Sequence, residues 1–263
     1  MRSHVFILRF MCLVLMISPP LRCAVAQVEH AQPVFDVISI HPMQPGDTTP
    51  EHITNSPHNG SFQAVNVPVK SLMEVAFDLP DTRMYGGPSW LTTDRFSVEA
   101  KADPKLDQEL ASLPSDQGKE MKRAMLKALL TNWFKLAVHT DMRDMPVYAL
   151  VAAKDSAKRD PAAANSAAAG TDHITVRAGH NSLEILAYEL SWRLGRPVLD
   201  QTGRTWSQAL VLTWRDDTET ASDSDAPSLR TALQEQLGLR LEPTHASVPA
   251  LSIDHAEKPS EEN

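Results

Sequence analysis

Cysteine is scarce in this sequence of 263 residues. The two cysteines, Cys12 and Cys23, both lie within the first 26 residues. If that segment is removed, the remaining chain has no thiol, which excludes disulfides and thiolate-bound metals and leaves stability to packing alone. Long apolar runs are also lacking, because the run over residues 10–17 is too short to span a membrane.

Positive charge is in deficit as well. The chain has 25 basic and 33 acidic residues, a formal charge of −8. A broad basic surface for nucleic acid or anionic lipid is therefore not expected. With 42% hydrophobic residues, the composition is that of a folded chain with one large or two small domains.

Familiar catalytic motifs are missing too. Nucleophile elbows, Ser-x-x-Lys motifs, His-Glu-x-x-His helices and glycine-rich phosphate loops do not occur, which weakens the hydrolase and nucleotide hypotheses without excluding them. His52 and His58 share one predicted loop, where we expect solvated side chains. Asp254 and His255 follow the predicted strand at 250–253, and if that strand continues, their side chains point to opposite faces. The sequence predicts no cofactor, no metal site and no catalytic residue.

Residues 1–26 have the features of an export signal. Arg2 and Arg9 precede or begin the apolar run, two prolines follow it, and Ala24-Val25-Ala26 is a small-x-small cleavage pattern. We therefore predict cleavage after Ala26 and a periplasmic or secreted protein. The alternative is lipidation of Cys23, which the bulky Leu21-Arg22 pair disfavours. Removal of the three arginines of this segment takes the charge from −8 to −11.

Residues 27–153 predict a first α+β unit. Alternation and helical periodicity divide it into strands at 35–40, 61–65, 96–100, 134–139 and 147–153, helices over about 68–79 and 117–133, a loop at 43–60 and a charged turn at 141–144.

Residues 154–172 are rich in Ala, Asp and Ser and predict a linker. Residues 173–259 predict a second α+β unit, and residues 260–263 a tail. The second unit divides into strands at 174–176, 196–199, 209–214, 239–242 and 250–253 and helices at 182–194 and 227–237.

The two units have the same order of elements, which favours an internal duplication. Ser71-Leu72 matches Ser182-Leu183, and Val75-Ala76-Phe77 matches Leu186-Ala187-Tyr188. The predicted fold class is α+β, with two similar subdomains, each of short antiparallel or mixed strands packed with two amphipathic helices. The alternative is a chance alignment of generic β/α patterns.

The helix at 182–194 has two apolar stripes. One stripe fits a core, whereas Ile185, Tyr188 and Trp192 lie on nearly the opposite face. That second stripe is either buried between the two halves or left for a binding partner. Trp206 is a further candidate for an exposed contact to a protein or a glycan. We expect exposure to indicate interaction, a deep pocket with His and Asp/Glu to indicate an enzyme, and full burial to indicate a scaffold.

Several segments resemble one exported family. They are Phe35-Asp36-Val37-Ile38-Ser39-Ile40-His41-Pro42, Gly86-Gly87-Pro88-Ser89-Trp90-Leu91 with Asp94-Arg95-Phe96, Arg123-Ala124-Met125-Leu126 to Phe134-Lys135-Leu136, Met145-Pro146-Val147-Tyr148-Ala149-Leu150, Asp200-Gln201-Thr202-Gly203 and Asp254-His255-Ala256-Glu257-Lys258-Pro259. This chain resembles the soil-associated exported proteins of soil bacteria, notably acidobacteria, a domain of unknown function. The resemblance implies no reaction.

Related domains are fused to membrane sensor-peptidase modules, which implies a sensing or binding role. His41 stands where that family usually has Lys, and Arg204-Thr205-Trp206 replaces its usual Leu-x-Gly.

The sequence hypothesis is an exported, non-enzymatic binding, interaction or sensing module of the cell envelope. Its expected partner is an envelope protein or a glycan, with no nucleic acid and no transmembrane span after signal removal. Two alternatives stay open: an extracytoplasmic hydrolase with a non-standard site, and a scaffold component of an outer-membrane assembly. The scaffold alternative rests on a similarity in strand-helix-strand order to small periplasmic domains of secretins and outer-membrane transporters.

Overall fold

A computed structural model describes residues 32–44, 46–153, 171–176, 182–206, 209–215 and 227–260. The predicted signal segment, all but the last two residues of the predicted linker, and residues 261–263 lie outside these ranges. Within them the chain has an α+β fold, as predicted from the sequence. None of the helices in these ranges has the length and apolar character needed to cross a membrane.

The strands of the described residues are β1 (Val37–Pro42), β2 (His52–Asn55), β3 (Ser61–Pro68), β4 (Met84–Gly86), β5 (Arg95–Lys101), β6 (Ala137–Ala152), β7 (Thr171–Val176), β8 (Val198–Asp200), β9 (Leu210–Arg215) and β10 (Leu239–His255). The helices are α1 (Val69–Phe77), α2 (Trp90–Thr93), α3 (Pro104–Ser112), α4 (Ser115–Trp133), α5 (Ser182–Leu194) and α6 (Leu229–Leu237), with a short 3₁₀ turn at Asp81–Arg83.

The first sheet has the strand order β1-β5-β3-β2 and is antiparallel throughout. Alternate residues of β5 are buried, which is the period-2 pattern of a strand with one covered face. Helices α1 and α4 pack against each other and join this sheet in one hydrophobic core. Leu72, Met125 and Phe134 are among its fully buried side chains.

The second sheet joins the two halves of the sequence. Its order is β4-β10-β6-β8, and β6 and β10 pair antiparallel along nearly their whole length. β4 is parallel to β10, and β8 is parallel to β6, so each short strand pairs with a long strand from the other half. The arrangement is unchanged when the two halves are exchanged.

A smaller sheet of β7 and β9 forms the centre of a second core. Helix α5 contributes Leu183, Leu186 and Leu190, which are its predicted core stripe. Helix α6 begins where the Ser228 side chain accepts the Thr231 N–H and ends at Gly238 in the left-handed conformation. The bounds predicted for the helix at 182–194 are thus confirmed.

The predicted turn at residues 141–144 is wrong, because these residues lie inside β6 and pair with residues 247–250 of β10. The separate strands predicted at 239–242 and 250–253 are likewise parts of one strand. The charges and prolines of these segments suggested that the strands were interrupted. Residues 141–147 and 244–250, however, form a two-stranded ribbon that pairs with neither β4 nor β8. Such a ribbon tolerates exposed charges and a proline without an N–H.

The predicted loop at 43–60 is wrong in part, because it contains β2. This strand has four residues, of which only Ile53 is strongly apolar, so its pairing with β3 determines it rather than its own propensity. Helix α3 was also not predicted, although Asp103 caps Lys105 and Leu106 and Pro104 occupies the first helical position. The internal duplication stays a prediction. The order of the central sheet agrees with it, because each half contributes one short and one long strand in equivalent places.

Candidate binding cleft

An open cleft of about 460 Å³ lies where β2, α1, α4 and α5 approach one another. We call it the Trp192 cleft. It is lined by Glu51, Ile53, Asn55, Pro57, Ser71, Glu74, Val75, Asp78, Lys119, Lys122, Arg123 and Trp192. Its volume is within the range of small-ligand sites, which is about 300–1,000 Å³.

Helical spacing explains which residues reach the cleft. From α1 and its end come Ser71, Glu74, Val75 and Asp78, at i, i+3, i+4 and i+7, which share one face of a helix. From α4 come residues 119, 122 and 123, again one face. The inner faces of the same two helices pack in the first core, so the walls of the cleft are rigid elements rather than loops.

Asp78 links the two halves of the chain. It ends α1 in the left-handed conformation, with φ of 53°, which is uncommon for a residue other than glycine. Its Oδ2 lies 2.6 Å from a guanidinium nitrogen of Arg123. Its Oδ1 accepts the hydroxyl of Tyr188 at 2.5 Å. The strained position is thus fixed by a cation from α4 and a phenol from α5.

Tyr188 and Trp192 form an ordered aromatic pair. Their ring centroids are 6.4 Å apart with an interplanar angle of 71°, the edge-to-face geometry that aromatic rings favour. Burial, followed by the hydrogen bond to Asp78, raises the pKa of Tyr188, so this group stays a donor at neutral pH. The Trp192 ring is therefore oriented before any ligand arrives.

The predicted second stripe of α5 is not fully buried, and part of it contacts other residues of the protein. Ile185 is 44% exposed and Tyr188 is 42% exposed, while Trp192 is half-buried and lines the cleft. Trp206 is elsewhere: it packs against the second core, and its carbonyl accepts the Ser182 N–H at 3.2 Å. The structure thus brings Tyr188 and Trp192 together at the cleft and leaves Trp206 apart. Their assignment as binding residues stays a prediction.

Carboxylates lie at the beginning of β2. Glu74 accepts the Asp81 N–H at 2.8 Å. Burial raises the pKa of Glu74, and repulsion from Asp81 and Glu51 raises it further. Glu51 also contacts the Arg95 guanidinium at 3.2 Å. This end of the cleft is accordingly acidic and partly desolvated.

Lysines lie on the opposite side. Lys119 is exposed, whereas Lys122 is fully buried and donates to the Ser61 carbonyl at 2.6 Å. The Lys122 ammonium is also 5.2 Å from the Phe35 ring centroid. Because burial disfavours the charged form, the pKa of Lys122 is lowered to about 8.

A larger cleft of about 900 Å³ lies between the end of β1 and residues 258–260. Three of the segments that carry the family resemblance border it. Its charged groups bind each other or nearby backbone: Lys258 contacts Asp94 at 2.5 Å, and Arg95 donates to the Asn66 carbonyl at 2.6 Å. His41 shares a hydrogen bond with Ser39 at 2.8 Å. The charged groups of this cleft are therefore already engaged in contacts within the protein.

Asp254 and His255 have separate partners. Asp254 binds His139 on β6, with both carboxylate oxygens 2.9 Å from the ring nitrogen. His255 contacts Glu257 at 2.8 Å. The His139 pair was not predicted, because it depends on the β6–β10 register and on the bulge between Ile253 and His255.

Asp78, Arg123 and Glu74 were not predicted as site residues from the sequence. Helical spacing places Glu74 and Asp78 on one face of α1, which is a usable signal. Nothing in the sequence connects that face with α5, because the connection runs through long-range packing.

The described part of the chain is an α+β protein whose two halves exchange strands around one central sheet. A family profile matches residues 70–256. The chain belongs to the DUF3738 family, proteins of unknown function. Comparison with curated proteins gave no match. Comparison with solved structures gave no match either. Membership in this family agrees with the predicted domain of unknown function and assigns no activity.

Proposed function

We propose that this protein is an exported binding module of the cell envelope that holds its ligand in the Trp192 cleft. Export is supported by the basic, apolar and Ala24-Val25-Ala26 features of residues 1–26 and by the resemblance to soil-associated exported proteins. The site of action is then the periplasm or the exterior.

One observation carries the binding role: Tyr188 and Trp192 are held in a fixed geometry beside an open cleft while their stripe stays partly exposed. A pre-oriented aromatic ring loses little conformational entropy when a ligand packs on it. Aromatic side chains of this kind dominate binding energy at interfaces.

The geometry favours binding over hydrolysis. A hydrolase would need histidine and carboxylate side chains that converge on a substrate. In the larger cleft, however, His41 binds Ser39, and the Asp47 carboxylate accepts the backbone N–H and the hydroxyl of Thr49. The Asp47 carboxylate and the His41 imidazole thus bind residues next to them in the chain.

In-cell cross-linking tests the proposal. A tagged full-length chain is cross-linked in its host and the attached molecules are identified by mass spectrometry, for the native chain, Trp192→Ala and Met142→Ala. Met142 is 61% exposed on β6 and serves as the matched control. We expect a reproducible envelope partner that Trp192→Ala loses and Met142→Ala keeps. Equal capture by all three chains would refute the cleft as the site.

Export has its own measurement, which is N-terminal sequencing of the chain recovered from the envelope fraction. We expect it to begin at Gln27. A chain that keeps Met1 in the cytoplasm would contradict export, and a lipid on Cys23 would replace cleavage after Ala26.

A further inference from the structure

The Trp192 cleft is bordered by the edge of a sheet. β2 is the last strand of the first sheet, and within the described ranges it pairs only with β3. Among the described residues, no strand pairs with the backbone groups on its other side. Exposed sheet edges are where extended peptides add to binding domains, with backbone hydrogen bonds giving affinity.

The side chains of this edge alternate with respect to the cleft. Glu51, Ile53 and Asn55 line it, which is every second residue and hence one face of the strand. Helix α1 supplies the facing wall with Glu74 and Val75. A groove between an edge strand and a helix accepts an extended chain whose alternate side chains enter the groove.

The groove has opposite charges at its two ends. Glu51 and Glu74 line one end. Because Glu51 also contacts the Arg95 guanidinium at 3.2 Å, the negative charge of this end rests chiefly on Glu74. Lys119 lies at the other end, next to Gly118, which touches Pro57 so closely that an added Cβ would lie 2.2 Å from the Pro57 oxygen. An extended ligand with a basic side chain at the first end and an acidic group at the second complements this pattern.

Asn55 supplies a hydrogen-bonding group in the same place. Its side-chain oxygen is buried and has no hydrogen-bond partner among the described residues. An unsatisfied buried acceptor costs free energy, and a donor on a bound chain reaches this one only when the Asn55 side chain rotates toward the cleft. This acceptor lies on the edge strand itself.

We propose that the ligand is an extended peptide segment of an envelope protein, which adds as a strand beside β2, packs an apolar side chain against Trp192 and places a basic side chain against Glu74. This inference rests on the proposed binding function of the cleft. A glycan would also pack on Trp192, but it has no backbone amides in a regular two-residue repeat. The edge strand and the polarised groove therefore favour peptide.

Selection of random peptides displayed on phage, with the purified exported chain as bait, provides the probe. The enriched peptide is then synthesised with single N-methylated amides along its length. Because alternate amides of an added strand point toward β2, we expect N-methylation to weaken binding about tenfold or more at every second position and little at the others. Loss without this alternation overturns the strand-addition model of binding.

Binding of the same peptide to variants of the protein shows where on the protein it binds. We expect Trp192→Ala and Glu74→Gln to weaken binding about tenfold or more, whereas the exposed-site controls Met142→Ala and Glu109→Gln leave it unchanged. The glutamine keeps an acceptor for the Asp81 N–H, so Glu74→Gln tests the charge alone. Equal binding by all four variants overturns the assignment of the groove.

Measuring the binding of oligosaccharides distinguishes a failure of the peptide inference from a failure of the proposed binding function. If soluble chito-oligosaccharides bind in a Trp192-dependent manner and no peptide is enriched, the cleft binds ligand but the peptide inference is wrong. If neither class binds and in-cell cross-linking is independent of Trp192, both the inference and the proposed function are wrong.

Discussion

Helices α1 and α5 occupy matched places in the two halves of the sequence, yet they end differently. α1 has nine residues and ends beside Phe77, whose ring lies 5.2 Å from the Lys127 ammonium. α5 has thirteen residues and has Tyr188 at the matched position. Its additional turn carries Trp192.

These differences create the contact between the halves. A phenylalanine has no donor for Asp78, whereas the Tyr188 hydroxyl reaches it at 2.5 Å. The additional turn of α5 then brings a second ring to the cleft. Leu72 and Ala76 of α1 are buried, as are the matched Leu183 and Ala187 of α5, but Met73 is buried where the matched Glu184 is exposed. The two helices therefore differ on the core side as well as on the outer face, where binding is proposed.

The two cores differ in a second respect. The first buries the charged Lys122, whereas the buried polar group of α5 in the second half is the Ser182 hydroxyl. A buried ammonium makes the first half sensitive to pH in a way that a hydroxyl does not.

The largest effect should follow from separating the halves. Residues 27–153 alone would lack β10 and β8, the partners of β4 and β6. We expect neither this fragment nor residues 154–263 to fold alone, as judged by NMR amide dispersion. Co-expression of the two fragments is the matched control and should restore the fold. A folded 27–153 fragment would show that the halves are independent.

Titration of Lys122 in the first core should have the next largest effect on stability. Its pKa is about 8 when folded against 10.5 for the ordinary side chain, so between these values the unfolded chain binds more protons. Stability therefore rises with pH over that window, by on the order of 3 kcal/mol. Urea unfolding from pH 7 to 10.5 measures this.

The control for that pH dependence is Lys122→Met, which keeps an unbranched side chain without the charge. We expect the native chain to gain stability relative to this variant as the pH rises. Parallel curves for the two proteins would mean that Lys122 titrates normally.

Tyr188→Phe makes α5 resemble α1 at the matched position. It removes the hydroxyl donated to Asp78, and we expect a loss of about 1 kcal/mol in the free energy of unfolding. A double-mutant cycle with Asp78→Asn measures the coupling. Additive losses would show that this contact does not join the halves.

His139 should give the smallest effect, since its side chain is 57% exposed and its ion pair is solvated. The hydrogen bond to Asp254 raises the pKa of His139 above 6.5. The stabilisation is present below that pH and is lost as the pH rises through the folded value. NMR titration of the imidazole should show the raised pKa, and Asp254→Asn should return it to the ordinary value. The other end of the β6–β10 ribbon offers no such pair: Arg240 there contacts Glu242 of its own strand.

Much of this fold follows from local sequence patterns. The spacing of Leu183, Leu186 and Leu190 predicts α5, and Ser228 with Gly238 bounds α6. The long strands β6 and β10 were not predicted as continuous, because charges and prolines that usually interrupt strands are tolerated where two strands pair alone. Local signals do not contain that pairing.

The candidate site was predictable only in part. The second stripe of α5 indicated Tyr188 and Trp192 through helical spacing alone. Asp78, Glu74 and β2 complete the cleft through contacts between residues far apart in sequence, for which a single sequence carries no signal. Trp206 was selected for its unusual turn, but packing places it against the second core.

The exchange of short strands between the halves also bears on how fast the chain reaches its native state. β4 finds its partner in residues 251–253, near the other end of the described chain. Contacts of such sequence separation slow folding, because a large loop must close before they form. A chain exported N-terminus first would therefore cross the membrane almost completely before its central sheet could close, which favours passage in an unfolded form.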